Sequence, residues 1–301
     1  SEDIKNAKGE VLLEKDSLIE QRVTDEKGQI TFTADLPVDG KYYVKEIFAP
    51  DGFVTTEEVQ EFTFEYAGED QTEVSYDFTF ENQPTTVELT KTDLTTGKEL
   101  PGAHLKVTDS DGNTVDEWTS TEESHVIKEL VVGKEYTMTE TKPADGYVTA
   151  ESITFTVENT AEIQKVEMKD EVPTGLLIIN KNGEFLDKVT LLDNVKGTVE
   201  HLFEYVTGSL SNVTFDVFAA EDIKAADGVS EDYFKADEKV GTITTNSNGI
   251  AQMGDLPAGK YYVKEVKTTH GYVLDGEPRY VDHSYRDQHT TVITYDEKWQ
   301  N

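Results

Sequence analysis

The chain has 301 residues, 61 Asp and Glu against 27 Lys and Arg, a net charge of −34, and no cysteine. So acidic a surface repels nucleic acid and anionic lipid, and the missing thiols exclude disulfides, thiolate metal sites and a cysteine nucleophile. With 36% hydrophobic and 10% aromatic residues it holds material for packed sheets and is expected to fold.

In chain order, the first stretch carries EDIKNAKGE from Glu2, an apolar-looking face at Val11, Leu13 and Lys15, an alternating run at Gln29 to Thr33, and LPVDGKYYVKEIFAPDGFV from Leu36. It closes on Phe78, Phe80 and Asn82 before Pro84. The second opens on Val87, Leu89 and Lys91 and passes DSDGN at Asp109. It continues through EYTMTETKPADGYV from Glu135 and a run at Ile153 to Val157, and ends on Val166, Met168 and Asp170 before Pro173. The third opens on Leu177, Ile179 and Lys181 and has an insertion from Asp187 to Ser211, whose Asp187 to Tyr205 part reads as a helical turn or a long hairpin. EDIKAADGV from Glu221, LPAGKYYVKEVKTTHGYVL from Leu256, and Tyr295, Glu297, Trp299 and Asn301 follow.

Strand, Glu, Gly loop, aromatic and Val thus recur three times, which marks an internal repeat. The short alternating runs and DGK, DGN and SNG turn signals predict an all-β chain of tandem sandwich domains, bounded near Pro84 and Pro173 into 1–84, 85–173 and 174–301. No run of about 18 apolar residues occurs, so no membrane insertion is expected in this segment. Ser1 without a leader reads as a processed chain or an excised fragment.

Side chains alternate faces along a strand. Glu46, Glu140 and Glu265 therefore fall on the apolar face with Tyr42 and Val44, Tyr136 and Met138, and Tyr261 and Val263. Lys91 and Lys181 end the apolar faces of first strands, while Asn82, Asp170 and Asn301 end those of last strands. One such residue is ordinarily a strand-end charge snorkelling to water. Correlated placement in repeat after repeat points instead to chemistry. Burial drives an amine toward its neutral, nucleophilic form and a carboxyl toward its protonated form. Lys can then attack the Asn or Asp side-chain carbonyl while Glu shuttles the proton, and ammonia or water leaves.

VELTKTDLTTGKELPGAHLKV from Val87, the three Tyr/Glu/Gly phrases, TFTVEN from Thr154, and the closing VEMKDEVP and SYDFTFEN resemble the Cna B-type, or SpaA-type prealbumin-like, domains of Gram-positive pilins and surface adhesins. The resemblance covers essentially the whole chain. It implies immunoglobulin-like or prealbumin-like β-sandwiches, a cell-wall location, and isopeptide bonds from Lys91 to Asp170 and Lys181 to Asn301, with Glu140 and Glu265 as catalysts. In the first repeat Glu46 and Asn82 stand without a Lys. Aligning EDIKNAKGE with EDIKAADGV leaves its first strands unmatched, and Lys15 is a poor substitute. No bond is expected there, and the sandwich is expected to be truncated or strand-exposed unless another segment fills the gap.

Other signals are weaker. DSDGN lacks the Gly and Glu of a calcium loop, at Thr114 and Ser120, and reads as a hairpin turn. The six His show no metal-ligand spacing, so neither metal nor cofactor is expected, and His283 and His289 read as surface residues. No hydrolase motif accompanies the Ser, His and Asp residues. The expected function is a structural stalk whose partners are neighbouring domains of the same surface protein. The alternative is an adhesin module that binds a host or matrix protein through the third-domain insertion.

Overall fold

The computed structural model describes residues 2–70, 74–193 and 199–300, and among them there are strands and no α-helix. No helix is therefore long and apolar enough to cross a membrane. Contacts divide the chain into two compact units. One is Ser1–Val87 with Ile127–Lys134 and Thr156–Gln164; the other is Glu88–Val126, Glu135–Phe155 and Lys165–Asn301.

The first unit is sparse in strands. β1 (Ile4–Lys5) pairs with β2 (Val11–Leu13), and β3 (Lys41–Lys45) pairs with β4 (Val59–Thr63), both antiparallel. Tyr42 is buried on β3 and its hydroxyl donates to Pro37 O. Gln29 to Thr33 alternates like a strand and yet forms none. Alternation specifies which face is apolar, but a strand also needs a ladder partner.

The second repeat begins with β5 (Thr86–Asp93), whose first two residues belong to the first unit. β6 (His104–Asp109), β7 (Thr114–Thr119), β8 (His125–Lys128), β9 (Glu135–Lys142), β10 (Ile153–Thr156) and β11 (Gln164–Asp170) follow. They form two sheets, ordered β10-β9-β6-β7 and β11-β5-β8. DSDGN is the β6–β7 turn, where Asp109 Oδ1 accepts from the Asp111 and Asn113 amides and Gly112 takes φ 84°.

The third repeat, wholly within the second unit, comprises β12 (Thr174–Asp193), β13 (Val199–Ser209), β14 (Thr214–Ala219), β15 (Lys239–Thr244), β16 (Ile250–Pro257), β17 (Lys260–Lys267), β18 (Arg279–Asp282) and β19 (Val292–Gln300). One sheet places β12 against β13, β16 and β19; the other runs β15-β14-β17-β18. Between them Leu177, Ile179, Phe215, Val217, Tyr261, Val263 and Trp299 form the core. The insertion is a long antiparallel hairpin of β12 and β13, not a helical turn.

His283, read from sequence as a surface residue, is fully buried, whereas His289 is exposed. Val281 and His283 share the inward face, and Gly175 makes room, since a Cβ there would lie 2.8 Å from His283 Cγ. Nδ1 donates to Ile293 O at 2.9 Å, which leaves Nε2 unprotonated and without a partner. Burial holds this imidazole below its ordinary value, aided by Arg286 and opposed by the Ile293 bond and Asp282. The unfolded ring takes a proton below about pH 6.5, and the folded one resists it. The third repeat is therefore expected to lose stability as pH falls below about 6.5, at up to ~1.4 kcal/mol per pH unit. Urea midpoints from pH 7.5 to 5 check this, and His283→Gln should flatten that part of the profile.

Candidate functional site

In the second repeat β5, β9 and β11 each turn one ionisable side chain into the sandwich. Lys91 is 2%, Glu140 4% and Asp170 1% exposed. The Lys91 Nζ lies 2.9 Å from Glu140 Oε1 and donates a short hydrogen bond to Asp170 Oδ1. Glu140 Oε2 accepts from the Ala150 amide at 2.7 Å. Burial pushes the Asp170 carboxyl up to about 7, and neighbouring Glu140 pushes the same way against the pull of Lys91. Glu140 Oε1 and Asp170 Oδ2 accept no hydrogen bond. A proton retained on Asp170 supplies a donor where the pair otherwise has only acceptors.

The third repeat repeats half of this arrangement. Lys181 on β12 is 1% exposed and its Nζ lies 2.9 Å from Glu265 Oε2 on β17. Neither Glu265 oxygen accepts a hydrogen bond. β12 and β19 run parallel, with Lys181 opposite Trp299 and Asn182 opposite Gln300. Asn301 lies outside the described residues. Glu297 has the inward phase of Trp299 but is exposed, which spares a lone carboxylate the cost of burial.

Gly249 seats Lys181. Its carbonyl accepts from the Lys181 amide at 2.8 Å, and Lys181 O accepts from the Leu210 amide at 2.9 Å. Gly249 has φ +74°, and a Cβ would fall 2.6 Å from Lys181 O. Gly249→Ala is expected to cost about 2 kcal/mol or more, from left-handed strain plus the backbone clash. A lowered denaturant midpoint for the third repeat is the check.

In the first repeat Glu46 Oε2 accepts from Asn82 Nδ2 at 2.6 Å and from the Thr56 amide at 3.0 Å, and Asn82 also donates to Val54 O. Both residues are half-buried. Lys15 is exposed. The structure thus brings Lys91, Glu140 and Asp170 together, Lys181 with Glu265, and Glu46 with Asn82. Sequence reasoning missed the backbone donor ten residues after the Glu, Thr56 for Glu46 and Ala150 for Glu140. The equal length of the two Gly loops was the available signal.

The profile of the SpaA prealbumin-like fold domain matches residues 1–79, 85–172 and 204–299. No curated protein sequence matches the chain. Among solved structures, the Bacillus anthracis TIE protein is 26% identical over 91% of this chain and 44% of its own, with a TM-score of 0.45. A streptococcal ancillary pilin is 18% identical over 87% of this chain and 76% of its own, at 0.28. The Bacillus cereus major pilin subunit BcpA is 13% identical over 71% of this chain and 98% of its own, at 0.28. The chain spans under half the length of the Bacillus anthracis protein.

Proposed function

We infer the function from one premise: this chain belongs to the family of SpaA prealbumin-like fold domains, with three repeats. It is a stalk or adhesin-spacer segment of a Gram-positive cell surface, divided at 1–84, 85–173 and 174–301, and cross-linked by its own side chains. The observation that carries the reading is the burial of an amine and two carboxyls in mutual contact at Lys91, Glu140 and Asp170. An unreacted buried charge cluster is a poor way to hold a sandwich together.

Lys91 Nζ, as the neutral amine, attacks Asp170 Cγ. The C–N bond forms, the C–OH bond of the protonated Asp170 breaks, and water leaves, with Glu140 carrying the proton from nitrogen to the departing oxygen. In the third repeat Lys181 attacks Asn301 Cγ, Glu265 shuttles the proton and ammonia leaves. Each event happens once, on the protein itself, so the chemistry is assembly and not turnover. Each amide joins a first strand to a last strand, which puts pulling force on a covalent bond in place of a hydrogen-bond ladder.

Intact mass under denaturing, reducing conditions tests the reading. A deficit of about 35 Da is expected, as water from the second repeat plus ammonia from the third. Glu140→Ala should remove about 18 Da of it and Glu265→Ala about 17 Da. The full calculated mass would sink the proposal.

A second reading, adhesion through the third-repeat insertion, is favoured by one feature. The β12–β13 ribbon is exposed on both faces and carries Leu191, Phe203 and Tyr205 into solvent. Apolar side chains kept in water along a ribbon suit a partner surface.

A further inference from the structure

The β12–β13 ribbon has two unlike faces. Its antiparallel register sets Leu191 opposite His201, Val189 opposite Phe203 and Leu186 opposite Tyr205, so one face carries an apolar stripe. The register shift between Leu186 and Lys188 is what turns Leu186 onto that face. The other face is mixed, with Leu192 opposite Glu200, Thr190 opposite Leu202 and Lys188 opposite Glu204. Along the stripe Leu186, Val189, Leu191, Phe203 and Tyr205 are each at least 47% exposed.

The ribbon is anchored at its base, where Phe185 meets the Tyr272 ring edge-on and the Tyr272 hydroxyl donates to Glu184 O. A two-stranded ribbon with an apolar face is marginal in water and gains stability from a third strand. Among the described residues β13 pairs with β12 alone, so its other edge lies open along a strand of 11 residues. Natural sheets blunt such edges with Lys or Pro. β13 has neither, and its formal charges are those of Glu200 and Glu204, with Lys188 at 3.7 Å from Glu204. The whole chain has a net charge of −34. Anionic lipid and nucleic acid are therefore repelled, and a second copy docked on the same edge would set like carboxylates beside one another. Charge and edge together favour a basic strand.

We propose that the open edge of β13 takes up an extended segment of a partner protein in which apolar residues alternate with lysine or arginine. This rests on the adhesive reading of the ribbon given above and names its partner by chemistry. Side chains alternate along a strand, so such a segment lays its apolar residues beside Phe203 and Tyr205 and its cations beside Glu200 and Glu204. Its backbone supplies the ladder that β13 lacks on that side. Register is specified by the same alternation, because a slip of one residue turns the cations onto the apolar stripe.

The test titrates the full chain with a synthetic peptide of about nine residues that alternates Val with Lys. A Val/Glu peptide and a shuffled Val/Lys peptide serve as controls. The alternating Val/Lys peptide is expected to bind and to slow amide exchange within residues 199–209. Glu200→Lys with Glu204→Lys should weaken it about tenfold and pass the preference to the Val/Glu peptide. Phe203→Ser with Tyr205→Ser should weaken both, and none of these four residues belongs to the core of the third repeat. Equal protection of 199–209 by the Val/Glu or shuffled peptide would overturn the proposed pattern and keep the adhesive reading. Dimerisation of the free chain, lost in Phe203→Ser with Tyr205→Ser, would give the edge to a second copy and overturn the proposal. If no peptide protects residues 199–209 and the chain stays monomeric, the adhesive reading falls as well.

Discussion

Lys91→Ala is expected to restore about 18 Da to the intact mass and to strip at least ~4 kcal/mol from the second repeat. Two effects combine. The amide would close a loop spanning a sequence separation of 79 residues, and the chain-entropy argument values a cross-link of that reach at about 4 to 5 kcal/mol. Separately, without Lys91 the Asp170 and Glu140 carboxyls lie buried with no cation beside them, at about 3 to 5 kcal/mol. Asp170 is then a free carboxyl with no cation to oppose the upward push of burial and Glu140. A carboxyl raised above its unfolded value near 3.8 favours the folded state below that value, and the benefit disappears as pH climbs through the folded value. The deficit of the variant should therefore be smallest near pH 4 and deepen toward pH 7. Replacing all three residues by apolar ones (Lys91→Met, Glu140→Leu, Asp170→Leu) should recover the electrostatic part and none of the cross-link part. For a domain of this size each kcal/mol moves the melting midpoint by roughly 4 to 8 °C. Calorimetry of the three proteins separates the two contributions, and a Lys91→Ala melt within about 4 °C of the parent would refute the cross-link.

Much of this arrangement was legible because a strand has a period of two. Phase alone put Lys91 with Leu89, Glu140 with Met138 and Asp170 with Met168, and each lies buried where the phase put it. Phase does not say what pairs with what. Gln29 to Thr33 has the alternation and no strand, since a ladder depends on a neighbour far away in the sequence. The β12–β13 hairpin could not be told from a helical turn, because neither of its faces is consistently buried and the sequence there records no inside. His283 was readable in principle: it shares its face with Val281, and only the assumption that histidine belongs in water hid that. The Thr56 and Ala150 amides that hold the glutamates are backbone groups, so no side-chain pattern announces them.

The joint between the second and third repeats is expected to depend on Tyr147, and Tyr147→Ala to cost about 3 to 5 kcal/mol. This is the aromatic of the recurring DGYV phrase, and it is 1% exposed. It forms a buried cluster with Leu100 and Ala144, against which Val172 and Ala226 pack, so the cluster draws on both repeats. Its hydroxyl donates to Asp93 Oδ2 at 2.6 Å, and its carbonyl accepts from the Tyr285 hydroxyl at 3.1 Å. Two residues on, the Thr149 amide donates to Gln288 O at 2.8 Å. Burial alone would raise Asp93, but the bonds from Tyr147, Thr96 and Thr95 outweigh it and hold the carboxyl below its usual range. Tyr147→Phe removes one charge-assisted bond and keeps the packing, so about 1.5 to 3 kcal/mol is expected. Tyr147→Ala removes the packing as well. If the joint couples the repeats, the alanine variant should split one melting transition into two and speed amide exchange at residues 149 and 174, whose partners lie across or beside the joint. A single unchanged transition would mean that the repeats are already independent. In the stalk proposed above the distinction would be mechanical: the proposed amides within repeats would limit how far each one stretches, and Tyr147 would decide whether the second and third bend as one body.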